Sequence, residues 1–234
     1  MHQTVKNLIN IQSNVKQKLQ ANNSNNQPII IAVSKTFKLD HIIHLINHGH
    51  THYGENKVQE AVEKWEKVKK ENNNIKLHLI GKLQTNKVKF AVKIFDYIHS
   101  LDSEKLANKI ASYENHKIKL FIQVNIGNEE QKSGISVNKV DDFYKFCKDL
   151  KLNVVGLMCI PPIDDNSAIH FKKMLDLKQK LNNFATLVII GDMLELGKHS
   201  KAMHLDLVPI IKKINPDLLL TLGKYSKNLN DELK

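Results

Sequence analysis

The sequence predicts an α/β protein, most simply a (β/α)8 barrel of the TIM type with a leading N-terminal helix. Short apolar segments alternate strictly with amphipathic segments, which is typical of a parallel sheet joined by helical crossovers. Eight strand segments can be counted, the number that such a barrel needs. The 234 residues, 41% of them hydrophobic, suffice for one large domain with its own core. A doubly wound open sheet is the alternative.

The predicted elements follow in chain order. Residues 2–20 carry apolar side chains at helical spacing and predict an entry helix. The β-branched run 29–33 predicts the first buried strand. Further strands are predicted at 51–54, 76–80, 97–100, 118–126, 154–158, 186–190 and 217–221. Helices are predicted at 39–48, 57–71, 85–94, 103–114, 137–150, 167–182 and 200–213.

Charge and composition limit the classes of molecule that this chain is expected to bind. The net charge of +11 suggests an anionic partner, yet every basic residue is a lysine. A chain without arginine lacks the side chain that makes bidentate contacts to guanine and phosphate. The lysines are also spread along the whole length. We therefore expect no specific nucleic-acid binding.

Other features bear on the cellular location. No apolar run approaches the roughly 18 residues of a membrane helix, and the first 11 residues lack the layout of a secretion signal. Cys147 and Cys159 have no metal-type spacing and are expected to be reduced thiols. The sequence thus predicts a cytoplasmic protein without a membrane span.

Lys35 follows the first predicted strand, and barrels of this kind place their functional residues at the carboxyl ends of strands. A lysine there would have part of its stem desolvated. Desolvation lowers the pKa of the amine and favours the neutral form that attacks aldehydes. The competing interpretation is an ordinary solvated lysine, which is the more frequent outcome at a strand end.

Three further polar segments follow strands, and each has two interpretations. Gly54-Glu55-Asn56 could present the Asn56 amide to a ligand, or form a turn followed by an acidic first helical turn. His78 is either a site residue or a satisfied core histidine. Lys132-Ser133-Gly134 could bind an anion through backbone amides or form a plain turn.

Metal and nucleotide chemistry find little support. His41, His44 and His48 share one helical face, but no carboxylate or cysteine completes a known ligand pattern. We expect a solvated histidine-rich face and no metal site. The sequence also lacks a phosphate-binding P-loop, a Gly-x-Gly-x-x-Gly segment and a Gly-x-Ser-x-Gly segment.

Several segments together resemble one family in order and spacing. The resemblance is to the pyridoxal phosphate homeostasis protein family, whose barrel is of the type found in the N-terminal domain of alanine racemase. It spans about residues 1–184. The matching segments are Ala32 to Lys35, Tyr53 to Asn56, Val58 to Glu60, His78 to Lys87, Gln123 to Ile126, Lys132 to Ile135 and Gly156 to Pro161.

The resemblance implies a cofactor and its site. Pyridoxal 5′-phosphate would be held as a Schiff base on Lys35, with Asn56 and Met158 lining the pocket and Asn125 ordering it. It implies a role in the intracellular homeostasis of this form of vitamin B6, without catalytic turnover and hence without catalytic residues. A racemase-like enzyme is one alternative. The small-molecule cofactor is the expected partner, and a monomer is the working expectation.

The last part of the chain departs from that family. Its members carry a Ser-x-Gly-Met-Ser segment and an Arg-x-Gly segment that hold the cofactor's phosphate and face its ring nitrogen, and this chain has neither. Residues 186–234, with Ile190 to Gly197 as their core motif, instead resemble the C-terminal domain of the ligase that adds D-alanyl-D-alanine to the cell-wall precursor.

This departure predicts two parts, a cofactor-binding region at 1–184 and a ligase-like segment at 185–234. The tail could supply the last two strand positions of the barrel. Asp192 would then place a negative charge near the phosphate, while Lys224 could supply a positive one. A non-functional or weakly binding chimera is the second alternative for the function.

Overall fold

In the computed structural model, two compact parts of the chain can be distinguished. The structure describes residues 1–21, 28–113, 117–162, 167–181, 185–191 and 218–222. One unit comprises residues 31–158, and the other comprises residues 1–30 together with 159–234.

The larger unit is built on a parallel sheet. Its strands follow the order β1-β2-β3-β4-β5-β7, and β6 pairs with β5 outside that order. Strands β1 to β5 pair in parallel with their neighbours. The strands are β1 (Ala32–Val33), β2 (His52–Glu55), β3 (Lys76–Leu79), β4 (Tyr97–Leu101), β5 (Lys119–Asn125), β6 (Ile135–Ser136) and β7 (Val154–Cys159).

Helices separate these strands, and α3 packs against one face of β2. In α3 the apolar residues Ala61 and Trp65 are fully buried, and the Trp65 ring packs on Tyr53 of β2 with 4.6 Å between centroids. Side chains alternate along a strand, so Tyr53 and Glu55 face α3 while His52 and Gly54 face the other side. The helices are α2 (Leu39–Asn47), α3 (Val58–Glu71), α4 (Val88–Ile94), α5 (Glu104–Ala111) and α6 (Val140–Asp149).

The smaller unit contains both ends of the chain. Its elements are α1 (Gln3–Ala21), α7 (Ser167–Lys180), β8 (Ala185–Gly191) and β9 (Leu218–Leu222). β8 and β9 form a parallel pair in which Leu187 aligns with Leu218. The helix predicted at 200–213 and the tail residues Asp192 and Lys224 lie outside the described residues.

The predicted alternation of parallel strands and helices is confirmed, and all eight predicted strands are present. Closure of a barrel, with the tail in its last two positions, stays a prediction. β1 is only two residues long, and the short strand β6 was not predicted. Helices α4 and α6 are each preceded by one 3₁₀ turn, at Thr85–Lys87 and Val137–Lys139. Among the described residues, no helix is long and apolar enough to cross a membrane.

Candidate functional site

The strand register brings the predicted site residues to the end of the sheet. Val33 aligns with Gly54, so Lys35 and Asn56 lie two residues beyond an aligned pair on neighbouring strands. Asn125 ends β5, and Met158 lies one residue before the end of β7, the neighbour of β5. Because β1 to β5 are parallel, Lys35, Asn56 and Asn125 lie at the same edge.

Lys35 occupies the corner of a tight turn. The Phe37 amide donates to the Ser34 carbonyl at 3.2 Å, which places Lys35 and Thr36 in the two central positions. Thr36 has φ +67°, an uncommon conformation for a β-branched residue and one that costs about 1 to 3 kcal/mol. The turn therefore holds local backbone strain beside Lys35.

The Lys35 side chain is exposed. This exposure agrees with the competing interpretation of a solvated lysine, because β1 ends at Val33 and the turn carries the lysine out of the sheet. No hydrogen bond or ion pair joins the Lys35 amine to another residue within the described ranges. The amine is thus open to reagents from solution.

Glu55 is a fully buried carboxylate next to the strand end. Its Oε1 accepts hydrogen bonds from Ser34 Oγ at 2.7 Å, Lys64 Nζ at 2.9 Å and Trp65 Nε1 at 2.9 Å. The predicted acidic first helical turn is therefore wrong for Glu55, which belongs to β2. Its charge is compensated by donors from α3 and from the residue before Lys35.

Asn56 combines an available polar atom with a close backbone contact. Its Oδ1 is buried and has no hydrogen-bond partner among the described residues. A Cβ at Gly81, just beyond β3, would overlap the Asn56 backbone oxygen. The absence of a side chain at Gly81 lets these two strand ends approach, while the Asn56 amide oxygen remains unused.

Asn125 organises a loop. Its Nδ2 donates to the Glu129 carbonyl at 2.8 Å, and its Oδ1 accepts from the Glu129 amide at 3.1 Å. Gly134 has φ +129°, and a Cβ there would lie 2.6 Å from the Asn125 backbone nitrogen. The Ser133 carbonyl accepts from Gln123 Nε2 at 3.1 Å. The segment Lys132-Ser133-Gly134 therefore forms a bend that packs against β5.

Met158 and the two cysteines belong to the packed interior. Met158 is 1% exposed. Cys147 and Cys159 are free and buried, and burial raises the pKa of each thiol to about 12. Neither thiol is therefore poised to react near neutral pH.

A row of three histidines crosses β2, β3 and β4. His52 Nδ1 and His78 Nε2 are 2.9 Å apart, and His78 Nδ1 and His99 Nε2 are also 2.9 Å apart. The His78 ring stacks on Tyr97, and the His99 ring stacks on Phe121. His78 is 1% exposed, so the satisfied core histidine is the interpretation that holds.

Burial keeps this histidine row neutral. Desolvation lowers the pKa of His52 to about 4 and that of His99 to about 3, and it places the pKa of His78 well below its usual value. The His99 Nδ1 atom is buried without a partner in the described structure. We define these three residues as the histidine row. The sequence pattern did not reveal it, because the three side chains meet only once β2, β3 and β4 are aligned.

The other histidine cluster is of a different kind. His41 and His44 on α2, and His48 directly after it, are exposed, which agrees with the expected solvated face. Within the residues that the structure describes, no group of three or more histidine, cysteine, aspartate or glutamate side chains could hold a metal ion.

Comparison with known proteins identifies the family. The chain is 35% identical over 188 residues to the pyridoxal phosphate homeostasis protein of Haemophilus influenzae, covering 74% of this chain and 79% of that protein. It is 38% identical over 165 residues to the protein of that name from Pasteurella multocida, covering 68% and 71%. The chain belongs to the pyridoxal phosphate homeostasis protein family.

A family model and several solved structures support this family and its fold. Residues 7–190 match the family model described as alanine racemase, N-terminal domain. PipY of Synechococcus elongatus, solved without pyridoxal phosphate, superposes with a TM-score of 0.69 at 25% identity over 91% of this chain and 98% of PipY. PipY with pyridoxal phosphate bound gives a TM-score of 0.64. Alanine racemase of Clostridium difficile, at 12% identity and a TM-score of 0.59, covers 93% of this chain and 56% of its own, and shows the fold alone.

The described residues fit one end of the cofactor that the family name implies. An exposed primary amine at Lys35 suits the aldehyde, and the unpartnered Asn56 Oδ1 offers an acceptor at the neighbouring strand end. Residues 192–217, which lie between the last two strands, are outside the described part of the chain.

Proposed function

We propose that this protein binds pyridoxal 5′-phosphate and serves its intracellular homeostasis, holding the cofactor as a Schiff base on Lys35. The observation that carries the proposal is the placement of Lys35. It stands in the corner of a strained turn at the carboxyl end of β1, exposed and without a hydrogen-bond partner among the described residues. The membership of the family supports the choice of cofactor.

Each of the predicted residues has a distinct part in this proposal. The Lys35 amine would condense with the aldehyde carbon of the cofactor, with loss of one water. At the neighbouring strand end, Asn56 offers a side-chain carbonyl oxygen that has no hydrogen-bond partner among the described residues. Asn125 fixes the loop after β5, and buried Met158 forms part of the packed end of β7.

We also propose that binding, rather than turnover, is the role. Among the described residues, the fully buried imidazoles are those of His78, His99 and His170. His78 and His99 are paired within the histidine row, and His170 belongs to α7. The pKa values of the histidine row are lowered so far that these groups would not act as proton acceptors near pH 7.

The first test is covalent capture. Purified protein is incubated with pyridoxal 5′-phosphate, reduced with borohydride and mapped by peptide mass spectrometry. We expect the pyridoxyl group on Lys35, an absorption band towards the visible before reduction, and at least a tenfold loss of both in Lys35→Ala. Lys38→Ala is the matched control, because Lys38 is an exposed lysine three residues away. Labelling spread over many lysines, unchanged in Lys35→Ala, would refute the site.

A second candidate function is a weakly binding chimera. It is favoured by one observation, the absence of arginine from the whole chain together with a tail that resembles a cell-wall ligase. In that case a folded protein would show no specific capture on Lys35 at cofactor concentrations up to the millimolar range. A cooperative thermal transition recorded on the same sample establishes that the protein is folded.

A further inference from the structure

We infer that Lys64 and Glu55 are positioning residues that fix the turn carrying Lys35. This inference rests on the proposed function in one respect, since it takes Lys35 as the lysine that binds the cofactor. Neither residue is placed to react with the cofactor itself. Glu55 is fully buried, and the Lys64 ammonium donates hydrogen bonds to two acceptors.

The first step concerns the backbone carbonyl oxygen of Ser34, which Lys64 contacts. Lys64 Nζ donates to the Ser34 carbonyl oxygen at 2.8 Å. That same oxygen accepts the Phe37 amide and so closes the turn around Lys35. A cation from α3 therefore binds directly to the atom that defines the turn.

The second step is the hold on the other atoms of Ser34. Its hydroxyl donates to Glu55 Oε1 at 2.7 Å, and its backbone amide donates to the Gly54 carbonyl at 2.9 Å. Ser34 is 3% exposed. All of its polar groups are thus occupied, and the peptide that precedes Lys35 has one orientation.

The third step is the ion pair that joins the two residues contacting Ser34. Lys64 Nζ and Glu55 Oε1 are 2.9 Å apart, with side-chain exposures of 13% and 0%. Trp65, the residue after Lys64, also donates to that oxygen. Charge-assisted hydrogen bonds in such a dry setting are stronger and more directional than exposed ones. The arrangement joins α3 to the turn and offsets the strain at Thr36.

Orientation matters here because Lys35 has a long flexible stem. Fixing the backbone at its root limits the volume that the amine explores and raises the rate at which it meets a bound aldehyde in a productive geometry. We therefore expect the pair to govern the rate of capture more than the final amount captured.

The test compares Lys64→Met and Ser34→Ala with the control Lys57→Met. Lys57, seven residues before Lys64, makes an exposed ion pair with Glu60, so its loss should leave the turn around Lys35 unchanged. Two measurements are made on each protein. The first is hydrogen exchange of the amides in residues 34–37 without cofactor, against exchange in β4. The second is the rate of borohydride-trapped labelling of Lys35 at low cofactor concentration.

We expect Lys64→Met to speed exchange at residues 34–37 at least tenfold while β4 stays protected, and to slow labelling about tenfold with the same final amount. Ser34→Ala should show a smaller change of the same kind, and it keeps the test valid should Lys64→Met not fold. Lys64→Arg should restore much of the wild-type behaviour, because it keeps a cation on the same helix face.

If Lys64→Met accelerated exchange equally in residues 34–37 and in β4, the inference would be overturned, because the pair would then support only global stability. Faster local exchange with an unchanged labelling rate would overturn the positioning role as well. Absence of labelling in the wild-type protein would instead refute the proposed function. The exchange data would still decide whether Lys64, and the hydrogen bond from Ser34 to Glu55, fix the turn.

Discussion

Two glycines illustrate how single residues shape the site. A side chain at Gly81 would overlap the Asn56 backbone oxygen, and two more backbone atoms of Asn56 would lie 2.8 Å from its Cβ. Gly49 after α2 has φ +90°, yet a Cβ there would meet nothing within 4 Å. The first glycine is required for space and the second only for its backbone conformation.

We therefore expect Gly81→Ala to lower the free energy of unfolding by about 3 kcal/mol, because backbone atoms must move apart to admit the methyl group. Gly49→Ala should cost only about 1 to 2 kcal/mol, the usual penalty for a left-handed conformation. Urea denaturation of the two variants measures both values. Equal losses would contradict the close approach of the two strand ends.

Thr36 raises a related question of strain. The residue next to Lys35 adopts a positive φ that glycine or asparagine would adopt more readily. Its conformation is maintained by the hydrogen bonds of Ser34 described above. Local strain that is held by surrounding contacts is common at binding sites, where it fixes the direction of a reactive group.

At the scale of elements, the histidine row makes the stability of the folded protein depend on pH. The unfolded chain would take up protons on these three residues near pH 6.5, whereas the folded chain resists protonation down to about pH 4 at His52 and about pH 3 at His99. The folded state thus binds fewer protons below pH 6.5. The stability from this difference is complete above pH 6.5 and is lost as the pH falls.

We expect the free energy of unfolding to fall by about 1.4 kcal/mol per pH unit below pH 6 from His99 alone. Urea denaturation at pH 7, 6 and 5 measures this slope. His99→Phe should reduce the slope, because it removes the titrating group while the new ring can still stack on Phe121. His48→Gln, at an exposed histidine directly after α2, serves as the control. A slope that is the same in all three proteins would contradict the role of the row.

The elements were largely predictable because their signals are local. The β-branched run before Lys35 and the apolar spacing of the helices carry their own periodicity, so most boundaries agree within one or two residues. β6 has only two residues and owes its existence to pairing with β5, which no local pattern reveals.

The site was predictable only in part, for a physical reason. Lys35 was a candidate because it follows a strand, and the family resemblance made it the expected site. Its exposure depends on a turn that Lys64 helps to hold. Glu55 could not be assigned locally, because its donors come from another strand and from a helix. The histidine row depends on the alignment of three strands that are far apart in sequence.

At the scale of the whole molecule, positive charge is abundant, but all of the basic residues that carry it at neutral pH are lysines. The chain carries 35 lysines and no arginine. Lysine attracts phosphate as a point charge, whereas arginine adds two parallel hydrogen bonds of fixed geometry. The phosphate of the proposed cofactor therefore has no arginine fork to bind it in any part of this chain.

We expect pyridoxal and pyridoxal 5′-phosphate to label Lys35 with half-maximal concentrations within about tenfold of each other, a difference of roughly 1.4 kcal/mol. The preference for the phosphate should shrink further with added salt, because lysine contacts are screened. Titrations of both aldehydes with borohydride trapping provide the measurement. A preference above a hundredfold that withstands salt would indicate a rigid phosphate site built from backbone amides.

The histidine row also has a polarity. Each neutral imidazole carries one proton, so the two N–H···N bonds must point the same way along the row. If His52 donates first, His99 Nδ1 is a buried N–H with no acceptor among the described residues. If His99 Nε2 donates first, that Nδ1 is a buried lone pair with no donor in the same part of the chain, and His52 carries its proton on Nε2. Reversing the row inverts its electric dipole without moving a heavy atom, and nitrogen chemical shifts of the three rings would tell which direction the protein adopts.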